Sequence, residues 1–171
     1  DEPGRAAARD GEHLLQRRVL LAQEEVPKRV ESRRGEGLHV LEELVGEAHR
    51  LGYYTNLITS GIGLAQARLK ALKDAGLNQI QLSIQSSERT MTDALVGARA
   101  FDHKLKVARM IKAYGFPMVL NVPVFRQNIE LASDILAMAE DIGVDYLEFA
   151  NIQYYNWAMV NRDELLPSRE Q

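Results

Sequence analysis

Four times along this chain a stretch of helical periodicity stops at a glycine, at Gly52, Gly76, Gly115 and Gly143, and gives way within a few residues to strand-forming sequence. Glycine ends helices because it enters the left-handed region at no steric cost. Before Gly52, Leu38, Leu41, Leu44, Val45, Ala48 and Leu51 recur at helical spacing; before Gly76, Leu64, Arg68, Leu69, Leu72 and Ala75 do so. Residues 101–114 form the third such stretch, and Ile135, Met138, Ala139 and Ile142 share a face in the fourth, with Asn128 expected as its N-cap. The strands between them are expected at 53–59, around Ile80, Leu82 and Ile84, at 118–125 and at 144–150. Strands joined by single helices run parallel, with right-handed crossovers, so the fold class is α/β with about four parallel strand-helix units. Two architectures fit that pattern: an incomplete (β/α) barrel or a small doubly wound sheet. The second loses its main support because no Gly-x-Gly-x-x-Gly follows a strand.

Residues 1–37 differ from the rest. They hold 8 basic and 8 acidic residues and no aromatic one. Leu14, Leu15, Val19, Leu20 and Leu21 line at best a frayed helix, and the segment is expected to be poorly ordered, with the partial barrel over 38–171. Three exclusions come from composition. With no cysteine, these 171 residues supply no disulfide, thiolate zinc site, cysteine nucleophile or cysteine-ligated iron-sulfur cluster. A net charge of -3 argues against nucleic acid as a partner. No apolar run approaches the roughly 20 residues of a membrane helix, and no signal peptide is evident, so no membrane partner and a cytoplasmic address are expected.

In parallel α/β folds ligands meet the carboxyl ends of the strands. The first expected strand ends in the small-residue turn Thr59-Ser60-Gly61-Ile62-Gly63. In the second, Gln79, Gln81, Ser83 and Gln85 fall opposite Ile80, Leu82 and Ile84, because strand side chains alternate. That polar row either binds a polar ligand, such as a ribose or an amino-acid head group, or faces solvent. The third contributes Asn121, then Arg126, which either binds a carboxylate or is solvated. The fourth gives Glu148 and the run 151–157, in which Gln153, Tyr154, Tyr155 and Trp157 form a substrate wall, an interface or a loop on the rim. His13, His39, His49 and His103 lie away from strand ends, so no metal site emerges. Lys70, Lys73, Lys104, Lys106 and Lys112 fall on expected helices, which argues against a lysine-dependent aldolase.

Four stretches carry a resemblance: Leu51-Gly-Tyr-Tyr-Thr-Asn-Leu-Ile-Thr-Ser-Gly-Ile-Gly63, Ile80-Gln-Leu-Ser-Ile-Gln85, Pro117-Met-Val-Leu-Asn-Val122, and Gln153-Tyr-Tyr-Asn-Trp-Ala158 continuing to Leu166-Pro-Ser-Arg-Glu-Gln171. From about Leu41 onward the chain resembles the pyrroloquinoline quinone (PQQ) synthesis protein E family of radical S-adenosylmethionine (SAM) oxidoreductases. The resemblance implies a partial TIM-barrel-like fold, a four-iron four-sulfur cluster and SAM, cleaved to a 5'-deoxyadenosyl radical. It also implies a precursor peptide, presented by a small carrier protein, whose Glu and Tyr become joined by a carbon-carbon bond. It places Thr59 and Ser60 near the amino-acid moiety of SAM, Ser83 and Gln85 on the ribose side and Asn121 near the cofactor. Glu148, Gln153, Tyr154, Tyr155 and Trp157 fall on the adenine and substrate side. The family's Cys-x-x-x-Cys-x-x-Cys loop and Gly-Gly-Glu-Pro motif are absent from this sequence, Gly35-Glu36-Gly37 standing near the place of the second. The expectation is therefore a central fragment that binds no cluster and is inactive as it stands, with residues 1 to about 37 a wrong-frame or misassigned start. The alternative is a non-catalytic barrel piece that binds SAM, the precursor peptide or its carrier protein.

Overall fold

The structure is a computed structural model that describes residues 18–22 and 38–171. Five parallel strands form one sheet in sequence order: β1 (Arg18–Ala22), β2 (Tyr54–Thr59), β3 (Gln79–Ser83), β4 (Met118–Val124) and β5 (Tyr146–Asn151). Between them run α1 (Leu38–Arg50), α2 (Gln66–Asp74), α3 (Arg89–Val96), α4 (Phe101–Ala113) and α5 (Ala132–Ile142), with a 3-10 turn at Ile129–Leu131. Two short helices, α6 (Asn156–Val160) and α7 (Arg162–Leu165), follow β5. A doubly wound sheet reverses its strand order partway; this one never does, so the right-handed crossovers put all the connecting helices on one face. This is the partial-barrel arrangement.

The four expected strand-helix units are present, and β1 adds a fifth strand. Val19, Leu20 and Leu21, expected on a frayed helix, lie instead in a strand paired with β2 from Arg18↔Tyr54 to Ala22↔Ile58. Short apolar runs fit either period, and here the open edge of β2 decides for the strand. Leu14 and Leu15 lie outside the described residues, as does most of the segment 1–37.

One core fills the space between sheet and helices. Leu57, Ile80, Leu82, Ile84, Met118, Leu120 and Val122 from the strands meet Val45, Leu69, Leu72, Val107, Ala108, Ile111, Ile135 and Ala139 from the helices. Gly76 shows why its position cannot carry a side chain: its φ is +93°, and a Cβ would stand 2.5 Å from the His49 ring. At the amino end of the sheet Asp145 accepts the Met118 N–H at 2.7 Å and the Lys112 ammonium at 2.5 Å.

Leu82→Ala should cost about 3 kcal/mol by urea unfolding, since Leu82 is fully buried and its cavity cannot collapse between sheet and α4. The Lys112 ammonium, then the Met118 N–H, hold the Asp145 carboxyl below its ordinary range. A lowered folded pKa gives stability that is present above the unfolded value and lost as pH falls through the folded one. Wild type should therefore lose stability below about pH 3.9, the ordinary aspartate value, and Asp145→Asn should flatten that acid limb in melts at graded pH.

Candidate functional site

The face opposite the connecting helices carries the polar row. Along β3 and the two extended residues after it, Ile80, Leu82 and Ile84 are buried in the core, so alternation turns Gln79, Gln81, Ser83 and Gln85 to the inner face. The same rule turns Asn56 of β2, Asn121 of β4 and Glu148 of β5 inward, because Leu57, Leu120, Val122 and Leu147 pack toward the helices. These side chains join across four strands. Asn56 Nδ2 donates to Gln81 Oε1 at 3.3 Å, Gln81 Nε2 donates to Glu148 Oε2 at 3.0 Å, and Asn121 Nδ2 donates to the same oxygen at 3.0 Å. Below this ladder the Tyr54 hydroxyl donates to Gln79 Oε1 at 3.0 Å.

Above the ladder the strand ends are tied together by side chains from outside the sheet. Lys104, in the first turn of α4 and only 1% exposed, donates to Ser60 O at 2.9 Å and Ser83 O at 2.8 Å. Its neighbour His103 places Nε2 3.1 Å from Gly61 O. Gly61 has φ +87°, and a Cβ there would meet Leu82 Cδ1 at 3.0 Å, so the β2 turn lies close against the core. Thr59 is buried on the helix side, where its Oγ1 accepts the Gly61 N–H at 3.0 Å; Ser60 Oγ accepts the Ile62 N–H at 3.4 Å. Asn128, expected as an N-cap, makes no capping bond with its side chain. It donates instead to Gln85 O and Pro123 O, both at 2.8 Å, and accepts the Phe125 N–H, which ties the end of β3 to the end of β4. Arg126 neither meets a carboxylate nor extends free: its Nε donates to Leu166 O at 3.0 Å, strapping the segment after α7 to the β4 end.

The inner face thus brings together Gln81, Asn121 and Glu148, with Ser60, Ser83 and Gln85 at the upper rim. Tyr154 is half-buried under the Arg162 guanidinium, 5.9 Å from the ring centre, and Gln153 is exposed. Tyr155 is 63% and Trp157 80% exposed, so this cluster is an open apolar patch rather than a packed wall. Two contributors went unrecognised in the sequence. Lys104 shares helical spacing with Val107, Ala108 and Ile111, and a lysine on an apolar face was the available signal. Asn56 follows from alternation with Leu57.

The residues fit the two implied cofactors differently. Asn56 Oδ1 and Gln85 Oε1 are buried amide oxygens with no hydrogen-bond partner, a deficit that the hydroxyls or amines of a bound nucleoside would meet. A cysteine-ligated cluster finds no fit, since the sequence has no thiol, and among the described residues no group of His, Asp and Glu could hold a metal ion.

The sequence pattern of the Radical SAM superfamily matches residues 10–139, well over half the chain, and the protein belongs to that superfamily. The matched range includes β1 and residues 10–17 before it. Among solved structures, SuiB from Streptococcus suis is similar at a TM-score of 0.65 and 17% identity, over 86% of this chain and 34% of that one. SuiB bound to its precursor peptide SuiA is similar at 0.64 and 15%, over 98% and 42%. The protein anSMEcpe with bound AdoMet and a peptide is similar at 0.62 and 17%, over 84% and 41%. At such identities the likeness is one of fold, and this chain spans well under half the length of each. Among the described residues no helix is long and apolar enough to cross a membrane.

Lys104→Met should lower stability by about 3 kcal/mol in urea unfolding, since it leaves the Ser60 and Ser83 carbonyls without their charged donor. Leu95→Ala, at an exposed site on α3, is the control and should change it by less than about 0.5 kcal/mol.

Proposed function

We propose that the inner face and upper rim of this barrel piece bind SAM, and that the enzyme to which such a piece belongs acts on a precursor peptide. The observation that carries this reading is two unpartnered buried amide oxygens, Asn56 Oδ1 in the polar ladder and Gln85 Oε1 at the rim. Ser60, Ser83, Gln85 and Asn121 are assigned to SAM, with Thr59 acting through the turn it braces. Gln153, Tyr154, Tyr155 and Trp157 are assigned to the peptide, and Glu148 stands between the two groups. SAM in this superfamily supplies radical chemistry once reduced by a cluster. The residues of this chain bind and orient, and its sequence has no cysteine to ligate a cluster.

The finer reading is PQQ formation, in which a Glu and a Tyr of one small peptide become joined by a carbon-carbon bond. It rests on the four stretches between Leu51 and Gln171 that resemble the PQQ synthesis protein E family. Superfamily membership and neighbours solved with peptides agree with a peptide substrate. The same reading assigns a carrier protein as partner, a cytoplasmic address and the partial barrel to 38–171 together with β1. The lack of cysteine favours a second reading for the 171 residues taken alone, a binding unit without catalysis.

Isothermal titration tests both. SAM should bind the wild-type protein at one site, and Gln85→Leu should weaken it about tenfold, the cost of roughly one good hydrogen bond. Absence of heat with SAM refutes the assignment. After anaerobic incubation with iron and sulfide, the chain should show no cluster absorbance and no SAM cleavage; the appearance of both overturns the non-catalytic reading.

A further inference from the structure

Glu148 is the only carboxylate that the described strands turn to the inner face, and it fixes the direction of every hydrogen bond in the ladder. A carboxylate accepts and cannot donate, so Gln81 and Asn121 must both present their NH2 groups to Oε2. Gln81 is then left with its oxygen toward β2, where it accepts from Asn56 Nδ2. Asn56, having spent its NH2, keeps a buried oxygen without a partner. The NH2 ends of the amides therefore all point toward the carboxylate. No ion pair among the described residues involves Glu148. Among the described residues the inner face sets amide donors around one charge and offers it no cation.

We propose that Glu148 recognises the positive charge of the bound ligand, through the sulfonium or the α-ammonium of SAM. This rests on the SAM reading above and adds to it the residue that discriminates by charge. A neutral nucleoside can satisfy the rim but gives Glu148 nothing to pair with.

Three probes separate the sources: SAM carries both cations, S-adenosylhomocysteine the ammonium alone, and 5'-methylthioadenosine neither. Glu148→Gln preserves shape, and its amide can rejoin the ladder after flips of its neighbours. In titrations the variant should bind SAM about fivefold more weakly, as expected for one partly solvated charge pair, and 5'-methylthioadenosine as well as wild type does. A matching loss with S-adenosylhomocysteine assigns the ammonium, and an unchanged affinity assigns the sulfonium. Equal losses for all three ligands, or no loss with SAM, overturn the assignment while leaving SAM binding itself intact. Wild type that binds none of the three overturns the SAM reading and this one with it. A second measurement does not depend on the variant's folding: raising the salt concentration should weaken SAM binding to wild type and leave 5'-methylthioadenosine unaffected, and equal salt dependence counts against the proposal.

Discussion

Every connecting helix lies on the same side of the sheet, and that one-sidedness governs the other features of the molecule. Each strand must be apolar on its helix side to bury the core and is released from that demand on the other. β3 shows the division most plainly, with Ile80, Leu82 and Ile84 in the core and Gln79, Gln81 and Ser83 facing inward. Asn56, Asn121 and Glu148 occupy equivalent inward places on their own strands, so polar groups far apart in sequence meet because their strands share one register.

Those parts of the fold whose signal is local were legible in the sequence. Gly52, Gly76, Gly115 and Gly143 all take positive φ at helix ends, as their places before strands imply. The inward row follows from period-two alternation over residues 79–85. What escaped depends on contacts between distant segments. Val19 to Leu21 carry no alternation, and their strand state is set by pairing with β2. Asn128 precedes a helical turn and so reads as a cap, but its amide serves two carbonyls of neighbouring strands instead. The Lys104 head group is displaced from its helix by the length of its side chain, so its residence on a helix says little about where its charge acts. The aromatic run after β5 had three readings, and packing against the rim fails for Tyr155 and Trp157 because both remain largely exposed.

Superfamily membership and the absence of cysteine describe separable parts of one chemistry. Holding a sulfonium nucleoside needs hydrogen-bond acceptors and donors on strand ends, which this chain has. Delivering an electron to it needs ligands for a redox centre, and cysteine thiolates are not among its residues. The core of the described residues is built from apolar side chains packed between sheet and helices.

Lys104 bears on how the rim moves. In most parallel sheets the separation of neighbouring strand ends is left to the last backbone hydrogen bonds, which weaken where the strands diverge. Here the Lys104 ammonium, carried on α4, bridges the ends of β2 and β3. The spacing of the β2 and β3 ends is consequently tied to the seating of α4 on the core.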